Sequence, residues 1–289
     1  MISRILRSLD VPSRHPSLTE ERKQQIKSCY EEHRSLSVVA DIMHCNTGTV
    51  AAILKEYGIE QLSSSEMHRK YNIEENYFET INNQNKAYAL GMIFSDGTVS
   101  KEHNHIAIAL QECDKYLLER LSDEFGGSRP LSFIDYKRKN QNWQDQYCLT
   151  ITNKKMHSDL VNHGAVPNKS LILKFPTTVP DELLSHFVRG YLDGDGTISK
   201  GECRCSLIST DDFCRTLAEI LKLKFDIHCS IMYLHGNKEK STRVLSIAGR
   251  HQVKKFLDWI YNDAEIYMKR KHNIYMNVYY PNTNNSLSA

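Results

Sequence analysis

The chain has 289 residues, a composition typical of globular proteins, and a formal net charge of +2 with thirteen histidines. This length suffices for about two or three domains, and the composition is neither collagen-like nor disordered. No apolar run approaches the roughly 18 residues that span a bilayer, and the start lacks the apolar core of a signal peptide. We therefore expect an intracellular protein, in the cytoplasm or associated with the nucleoid, with an organelle left open and no membrane partner.

The eight cysteines fit a reducing compartment. None of them forms a C-x-x-C pair, and the closest two are Cys203 and Cys205. Because structural zinc sites need paired ligands at such spacing, the pattern predicts reduced thiols rather than a zinc site.

Residues 1–66 contain three short helical patterns and are predicted to form a separate all-α domain, followed by a polar linker at 67–80. The first pattern runs from Thr19 to about Glu32. The second covers SVVADIMH, and the third covers TVAAILKEY and ends at Gly58, with the polar turn CNTG between them.

This order of helices is that of a helix-turn-helix, in which the third helix enters the major groove of DNA. Ala40 before the turn and Thr47 and Thr49 at the start of the third helix favour contact with DNA. The alternative is a three-helix bundle without a nucleic-acid partner. It stays open because the spacing alone is a weak signal.

The rest of the chain contains an internal repeat. YALGMIFSDGTVS begins at Tyr88 and FVRGYLDGDGTIS begins at Phe187, so that Asp96 and Asp195 lie 99 positions apart at equivalent places. A strand-like hairpin, a helix, a second hairpin and a further helix follow in each copy. Such a repeat of whole units predicts two αββαββα copies, at 81–180 and 181–280, before a disordered tail at 281–289.

The aspartate at the end of each repeated helix is unexpected. The C-terminal end of a helix carries partial negative charge, which disfavours a carboxylate there. A glycine in the left-handed conformation at a helix C-cap explains Gly97 and Gly196 but no aspartate. An EF-hand loop does not fit either, because its first ligand would be Tyr191 and a strand-like segment follows the motif. A bound cation is the remaining explanation.

Small residues four apart mark one face of each repeated helix. They are Gly91 and Ser95 in the first copy and Gly190 and Gly194 in the second. If these faces pack together, Asp96 and Asp195 lie side by side and repel each other unless cations bind between them. Carboxylate oxygens suit Mg²⁺, and paired metals at a phosphate support in-line displacement.

The two segments resemble the signature of the LAGLIDADG homing endonucleases in their single-chain form. The second segment, VRGYLDGDG, is the closer match, and the first, ALGMIFSDG, departs from the signature at Phe94 and Ser95. The resemblance implies an α+β fold in which two pseudo-twofold-related αββαββα copies form a DNA-binding saddle. It also implies that Asp96 and Asp195 bind metal and catalyse, whereas Asp193 is structural or supports the metal-binding residues from behind.

The resemblance also implies further residues around the attacking water. Lys169 in PNKS and Lys271 in MKRKHN match the basic position of the family, with Lys269 as an alternative in the second copy. Gln111 matches its polar position. Ser209 occupies that neighbourhood in the second copy, in an alignment uncertain by one residue.

Polar side chains near the hairpin tips are candidates for DNA contact. The cations there provide affinity through phosphates, and amides can read base edges. The cations are Lys137, Arg138, Lys139, Lys238, Lys240 and Arg243, and the amides are Gln141, Asn142 and Gln144.

The sequence thus predicts a site-specific double-strand DNA endonuclease, a hydrolase of intron-homing type, that needs Mg²⁺ or another divalent cation such as Mn²⁺. We expect a monomer with internal pseudo-symmetry that recognises a long, partly asymmetric DNA site. The helix-turn-helix would extend the footprint or repress the gene of the enzyme. A non-catalytic DNA-binding transcription regulator on the same scaffold and an intron RNA maturase remain as alternatives.

Overall fold

The structure is a computed structural model that divides into two compact units, Met1–Lys70 and Tyr71–Ala289. It describes residues 18–59, 72–127, 129–167, 169–234 and 242–281. The predicted tail lies outside these ranges except for residue 281, and Lys238 and Lys240 lie outside them as well.

Within residues 18–59, the N-terminal unit forms three helices that begin close to the predicted positions. They are α1 (Glu20–His33), α2 (Leu36–Ile42) and α3 (Thr47–Glu56). Each begins after a side-chain cap, because the oxygens of Thr19, Ser35 and Asn46 accept from backbone N–H groups of the first turn.

The axes of α2 and α3 differ in direction by 107°. The turn between them contains His44 in the left-handed conformation, at φ 47°. Ile26, Tyr30 and Leu54 contribute to a small core shared by the three helices. Among the described residues no single helix is long and apolar enough to cross a membrane, and only the bent pair α2 and α3 reaches that apolarity together.

The first copy of the larger unit alternates helices and antiparallel strands. Its elements are α4 (Gln84–Ser95), β1 (Gly97–Val99), β2 (His105–Gln111), α5 (Lys115–Glu124), β3 (Ser132–Ile134), β4 (Gln146–Thr152), α6 (Lys154–Asn162) and α7 (Lys169–Ile172). The sheet has the strand order β1-β2-β4-β3.

The second copy repeats this arrangement. Its elements are α8 (Leu184–Asp195), β5 (Gly196–Ile198), β6 (Arg204–Thr210), α9 (Asp211–Phe225), β7 (Cys229–Tyr233), β8 (Thr242–Ala248), α10 (Arg250–Tyr261) and α11 (Lys269–Tyr279). Its sheet has the equivalent order β5-β6-β8-β7. The predicted α+β class, with two αββαββα copies after an all-α region, is confirmed.

The two repeated helices, α4 and α8, pack closely through the predicted small residues. A Cβ atom on Gly91 would lie 2.1 Å from the carbonyl oxygen of Phe187, and one on Gly190 would lie 2.1 Å from that of Tyr88. A Cβ on Gly194 would lie 2.0 Å from Oγ of Ser95. The contact is reciprocal, and only glycine permits it at these positions.

The body of the larger unit begins before residue 81, within the predicted linker. Tyr77 and Phe78 are buried in its core, where both rings pack on Phe125. The backbone N–H of Glu74 donates to the carbonyl of Phe125 at 2.8 Å. Aromatic side chains in a polar stretch therefore extend the first copy toward the N-terminus.

Candidate active site

The turn after each repeated helix requires glycine for a reason other than the predicted one. Gly97 and Gly196 do not adopt the left-handed conformation; Gly196 is extended, at φ −105° and ψ 164°. A Cβ on Gly97 would lie 2.6 Å from the carbonyl oxygen of Ile93, and one on Gly196 would lie 2.5 Å from that of Leu192. The strand thus leaves the helix so sharply that no side chain fits.

The sharp turns place Asp96 and Asp195 at the ends of α4 and α8. A Cβ on Gly194 would lie 3.0 Å from Oδ2 of Asp96, so the end of α8 contacts that carboxylate. Burial, and next the negative charge of Asp195, raise the pKa of Asp96 to about 6. Burial also raises the pKa of Asp195. Asp96 is half-buried and Asp195 is exposed, and the two carboxylates lie near enough for the charge of Asp195 to act on that of Asp96.

The two carboxylates fit a hard divalent cation. Within the described residues, no three His, Cys, Asp or Glu side chains gather as a metal cage. Mg²⁺ needs no such cage, because it commonly binds one or two carboxylates and completes its shell with waters and substrate phosphates. A cation between Asp96 and Asp195 would also offset their repulsion and the negative ends of both helices.

Lys169, the first residue of α7, binds the end of α4. Its Nζ donates to the carbonyl oxygen of Ile93 at 2.6 Å and to that of Ser95. Burial lowers the pKa of Lys169 to about 8, while the charges of Asp195 and Asp96 oppose this shift. The ammonium group thus offsets the negative end of the helix that carries Asp96.

Lys271 binds the end of α8 in the same way. Its side chain is buried, with 4% exposed. Its Nζ donates to the carbonyl oxygens of Leu192 and Asp193 at 2.7 Å each and of Gly196 at 2.6 Å. Burial lowers its pKa. Lys269, the alternative, is exposed, with its Nζ 4.4 Å from the centre of the Tyr116 ring.

A cavity of about 230 Å³ opens beside Asp195 and Lys169. Tyr191 and Ser209 contribute polar groups to its wall, and the Tyr191 hydroxyl lies 2.9 Å from both the carbonyl oxygen of Ile208 and Oγ of Ser209. A polar cavity of this size can hold several waters next to a carboxylate.

The strand registers settle the alignment of Gln111. Gly97 pairs with Ile108 and Gly196 pairs with Leu207, which makes Thr210, not Ser209, the equivalent of Gln111. Leu110 is then the residue of the first copy that corresponds to Ser209. The hydroxyl that Ser209 contributes to the cavity wall is therefore replaced by an apolar side chain in the first copy. Gln111 itself lines a separate pocket at the β3–β4 hairpin.

Arg189 is a buried charge that the sequence analysis did not single out. Its guanidinium donates to the carbonyl oxygens of Ile266 at 2.9 Å and Ile260 at 2.7 Å. Superposing the repeats could have indicated it, because the equivalent residue of the first copy is Leu90. A charged residue that replaces an apolar one within a buried helix needs a specific partner.

The predicted DNA-contacting residues of the hairpins differ in whether their charged groups already have a partner within the protein. Arg138 and Lys139 are exposed in the loop between β3 and β4, whereas Lys137 of that loop forms an ion pair with Asp145 at 3.2 Å. Arg243 instead forms an ion pair with Asp211 at 2.9 Å and lies over the Tyr233 ring.

In the N-terminal unit, Thr47 is exposed at the start of α3. The hydroxyl of Thr49 is hydrogen-bonded to Oδ1 of Asn46 at 3.0 Å. Thr47 is therefore the freer of the two predicted contact residues.

Comparisons with known proteins match parts of the chain. Residues 182–261 match the family described as a LAGLIDADG-like domain. An uncharacterized protein of Methanocaldococcus jannaschii is 24% identical over 156 residues, which is 50% of this chain and 56% of that protein. The chain thus spans little more than half the length of that relative.

Two solved structures illustrate the structural likeness. The homing endonuclease I-WcaI, bound to its DNA recognition sequence, has a TM-score of 0.46 and 16% identity, covering 68% of this chain and 90% of that one. The N-terminal LAGLIDADG domain of WhiA has a TM-score of 0.41 and 18% identity, and the match covers 64% of this chain and 88% of that one. The resemblance found in the second repeat agrees with the family match, which covers residues 182–261.

Proposed function

We propose that this protein is a site-specific double-strand DNA endonuclease that uses Mg²⁺ or a similar divalent cation. One observation carries the proposal: Asp96 and Asp195 lie at the adjoining ends of two closely packed helices. Burial raises the pKa of both carboxylates. A purely structural contact gives no reason to place two such groups together.

Asp96 and Asp195 would hold the cation, and their duplication provides one carboxylate for each DNA strand. A divalent cation bound there supplies charge stabilisation to the scissile phosphate and acidifies water. Lys169 and Lys271 fix the helix ends that carry the carboxylates and add positive charge close to the phosphates. The cavity beside Asp195 would hold water within reach of that carboxylate.

The open faces of the two sheets would bind the DNA. Small and polar side chains alternate with buried apolar ones along the inner strands, as Ala107 and Ala109 do in β2 and Ser206 does in β6. The exposed cations of the β3–β4 loop would contact phosphates and contribute salt-sensitive affinity. The N-terminal unit would add a helix-turn-helix contact, since the 107° bend between α2 and α3 is within the range of that motif.

A non-catalytic DNA-binding regulator is the second candidate. One observation favours it: Lys169 and Lys271 are both hydrogen-bonded to helix carbonyls, which accounts for them without chemistry. Cleavage distinguishes the two candidates.

The test is a cleavage assay on a duplex DNA library with Mg²⁺, Mn²⁺ or EDTA. Asp195→Asn and Asp96→Asn keep the shape of the side chain but remove an anionic ligand. We expect cleavage to fall by about 10²-fold or more while DNA binding survives, because a lost metal contact removes several kcal/mol of transition-state stabilisation. Asp123→Asn, at an exposed position of α5, is the matched control.

Full double-strand cleavage by either active-site variant would contradict the assignment. DNA binding by the wild-type protein without cleavage under any metal condition would favour the regulator.

A further inference from the structure

A concave pocket of about 360 Å³ lies at the tip of the β3–β4 hairpin. Its wall combines two aromatic rings with four amide side chains. They are Tyr136, Trp143, Gln111, Asn142, Gln144 and Gln146. The pocket is separate from the cavity beside Asp195, and its composition differs from the charged surface expected of a solvated loop.

The loop that forms the pocket is ordered by its own hydrogen bonds. The Tyr136 carbonyl accepts from the backbone N–H groups of Lys139 at 2.9 Å and Asn140 at 3.1 Å, and the Asn140 carbonyl accepts from Trp143 at 2.9 Å. The rings of Tyr136 and Trp143 pack edge to face, with centroids 6.2 Å apart. A loop fixed in this way loses little conformational entropy when it binds a ligand.

The base of the loop is fixed by Asp145, which is buried. Its carboxylate accepts from the backbone N–H of Lys137 at 2.9 Å and pairs with Nζ of that lysine at 3.2 Å. Lys137 is thereby held by Asp145, and neither it nor any other cation lines the pocket. The exposed Arg138 and Lys139 lie on the same loop, where they can reach phosphates.

The amide groups of the pocket are available to a ligand. Within the described part of the chain, the side-chain amides of Asn142, Gln144 and Gln146 form no hydrogen bond. A free amide offers one acceptor and one donor side by side, which matches the N6 amino group and N7 of adenine in the major groove. Guanine is matched by Arg or Lys and cytosine by a carboxylate, and the pocket contains neither kind of group.

We propose that this pocket reads an adenine of the DNA target through the major groove; this rests on the DNA-binding function proposed above. Gln144 and Gln146 provide the amide contacts to the base edge. Trp143, with 51% of its surface exposed, offers an apolar surface to the methyl group of the paired thymine. The corresponding loop of the second copy, LHGNKEKST, contains no glutamine and no tryptophan, so the preference belongs to one half of the target.

The experiment is selection of bound duplexes from a random DNA library in EDTA, so that no cleavage intervenes. It compares the wild-type full chain with Gln144→Leu and Gln146→Leu, which keep similar volume but lose the amide. Gln24→Leu is the matched control, because Gln24 is an exposed glutamine of α1 that lies outside the pocket. We expect the wild type and the control to select adenine at one position and the two pocket variants to lose that preference.

The selected site then tests the contact from the DNA side. Replacing the identified adenine by 7-deazaadenine removes only the N7 acceptor. We expect the affinity of the wild type to fall by roughly threefold to tenfold, because one of the two hydrogen bonds to the base edge is lost, and that of Gln144→Leu or Gln146→Leu to change little.

Unchanged preferences in both pocket variants, or a relaxed position that is not adenine, would overturn the pocket assignment and leave DNA binding intact. Failure of the wild-type protein to enrich any sequence would reject both the pocket and the proposed function.

Discussion

The hydroxyl of Tyr88 donates to Oδ2 of Asp193 at 2.8 Å and links the first repeated helix to a buried carboxylate of the second. The same oxygen accepts from the backbone N–H of Met268 at 2.7 Å, directly before α11. Because α11 carries Lys271, Asp193 connects the helix pair to the segment that supplies this lysine. The structural role that the resemblance implied for Asp193 has a physical basis in these bonds.

Removal of the Asp193 carboxylate should destabilise the protein according to what replaces it. In Asp193→Leu, two buried donors lose their acceptor, which costs about 1–3 kcal/mol each. Asp193→Asn keeps one acceptor oxygen for both donors. Its amide nitrogen takes the place of Oδ1, which has no hydrogen-bond partner among the described atoms. We expect Asp193→Leu to lose about 2–6 kcal/mol of unfolding free energy in urea and Asp193→Asn clearly less. Equal stability of the two variants would show that the bonds contribute nothing.

Any side chain at Gly190 should force α4 and α8 apart. Even alanine would place its Cβ 2.1 Å from the Tyr88 carbonyl oxygen, and backbone cannot move aside as a flexible side chain can. We expect Gly190→Ala to lose at least about 1–3 kcal/mol of unfolding free energy, together with DNA cleavage. Gly201→Ala is the control, because no atom lies within 4 Å of its added Cβ. Identical melting temperatures for both variants would contradict the close helix contact.

The two-copy architecture was predictable because the same residues recur at fixed spacings in the sequence. Asp96 and Asp195 identify two copies by their separation of 99 positions, and small residues four apart identify the face on which two helices can meet. The small residues are Gly91 and Ser95 in the first copy and two glycines in the second. These signals are local or periodic, so they need no knowledge of how distant segments pack.

The partners of the buried cations were not predictable in this way. Arg189 donates to carbonyls 71 and 77 residues further along the chain, and Lys271 reaches back 75 residues or more. Backbone carbonyls carry no sequence signal, so a buried lysine that caps a helix resembles a catalytic one. The roles of Lys169 and Lys271 in chemistry therefore remain a prediction, while their role at the helix ends is established by contact.

His186 should make the stability of the protein depend on pH. Arg189 donates to Nδ1 of His186 at 2.8 Å, which requires a neutral ring. Burial, and next the charge of Arg189, lower the pKa of His186 to about 4, whereas a histidine in the unfolded chain titrates near 6.5. The unfolded state therefore binds more protons between these values, and stability is lost as the pH falls from about 6.5 to about 4.

The size of this effect is about 1 kcal/mol once solvent screening of the half-exposed ring is allowed for. His186→Gln keeps an acceptor for Arg189 without a titratable group, so its stability should change less over this pH range. His103→Gln, at an exposed turn, should behave like the wild type. Urea unfolding at pH 4, 5, 6 and 7 measures the slopes, and equal slopes for His186→Gln and the wild type would contradict the assignment.

Deletion of residues 1–70 should leave the larger unit folded, because each unit has its own hydrophobic core. We expect the truncated protein to cut DNA with weaker binding and a shorter footprint. Its affinity should also depend less on salt, since each lost phosphate contact lowers the slope of log K against log salt by about 0.9. Loss of folding in the truncated protein would show that the units are not independent.

A single added charge tests the N-terminal contact within the intact chain. Thr47 is exposed at the start of α3, where free backbone N–H groups and the helix dipole favour a phosphate. Thr47→Glu should repel that phosphate and weaken binding by several-fold at low salt, with the difference shrinking as salt screens the repulsion. Ser28→Glu adds the same charge at an exposed position of α1 and is the matched control. If both variants bind DNA with the affinity and footprint of the wild type, α3 does not contact DNA, and the unit is the plain three-helix bundle that the sequence left open.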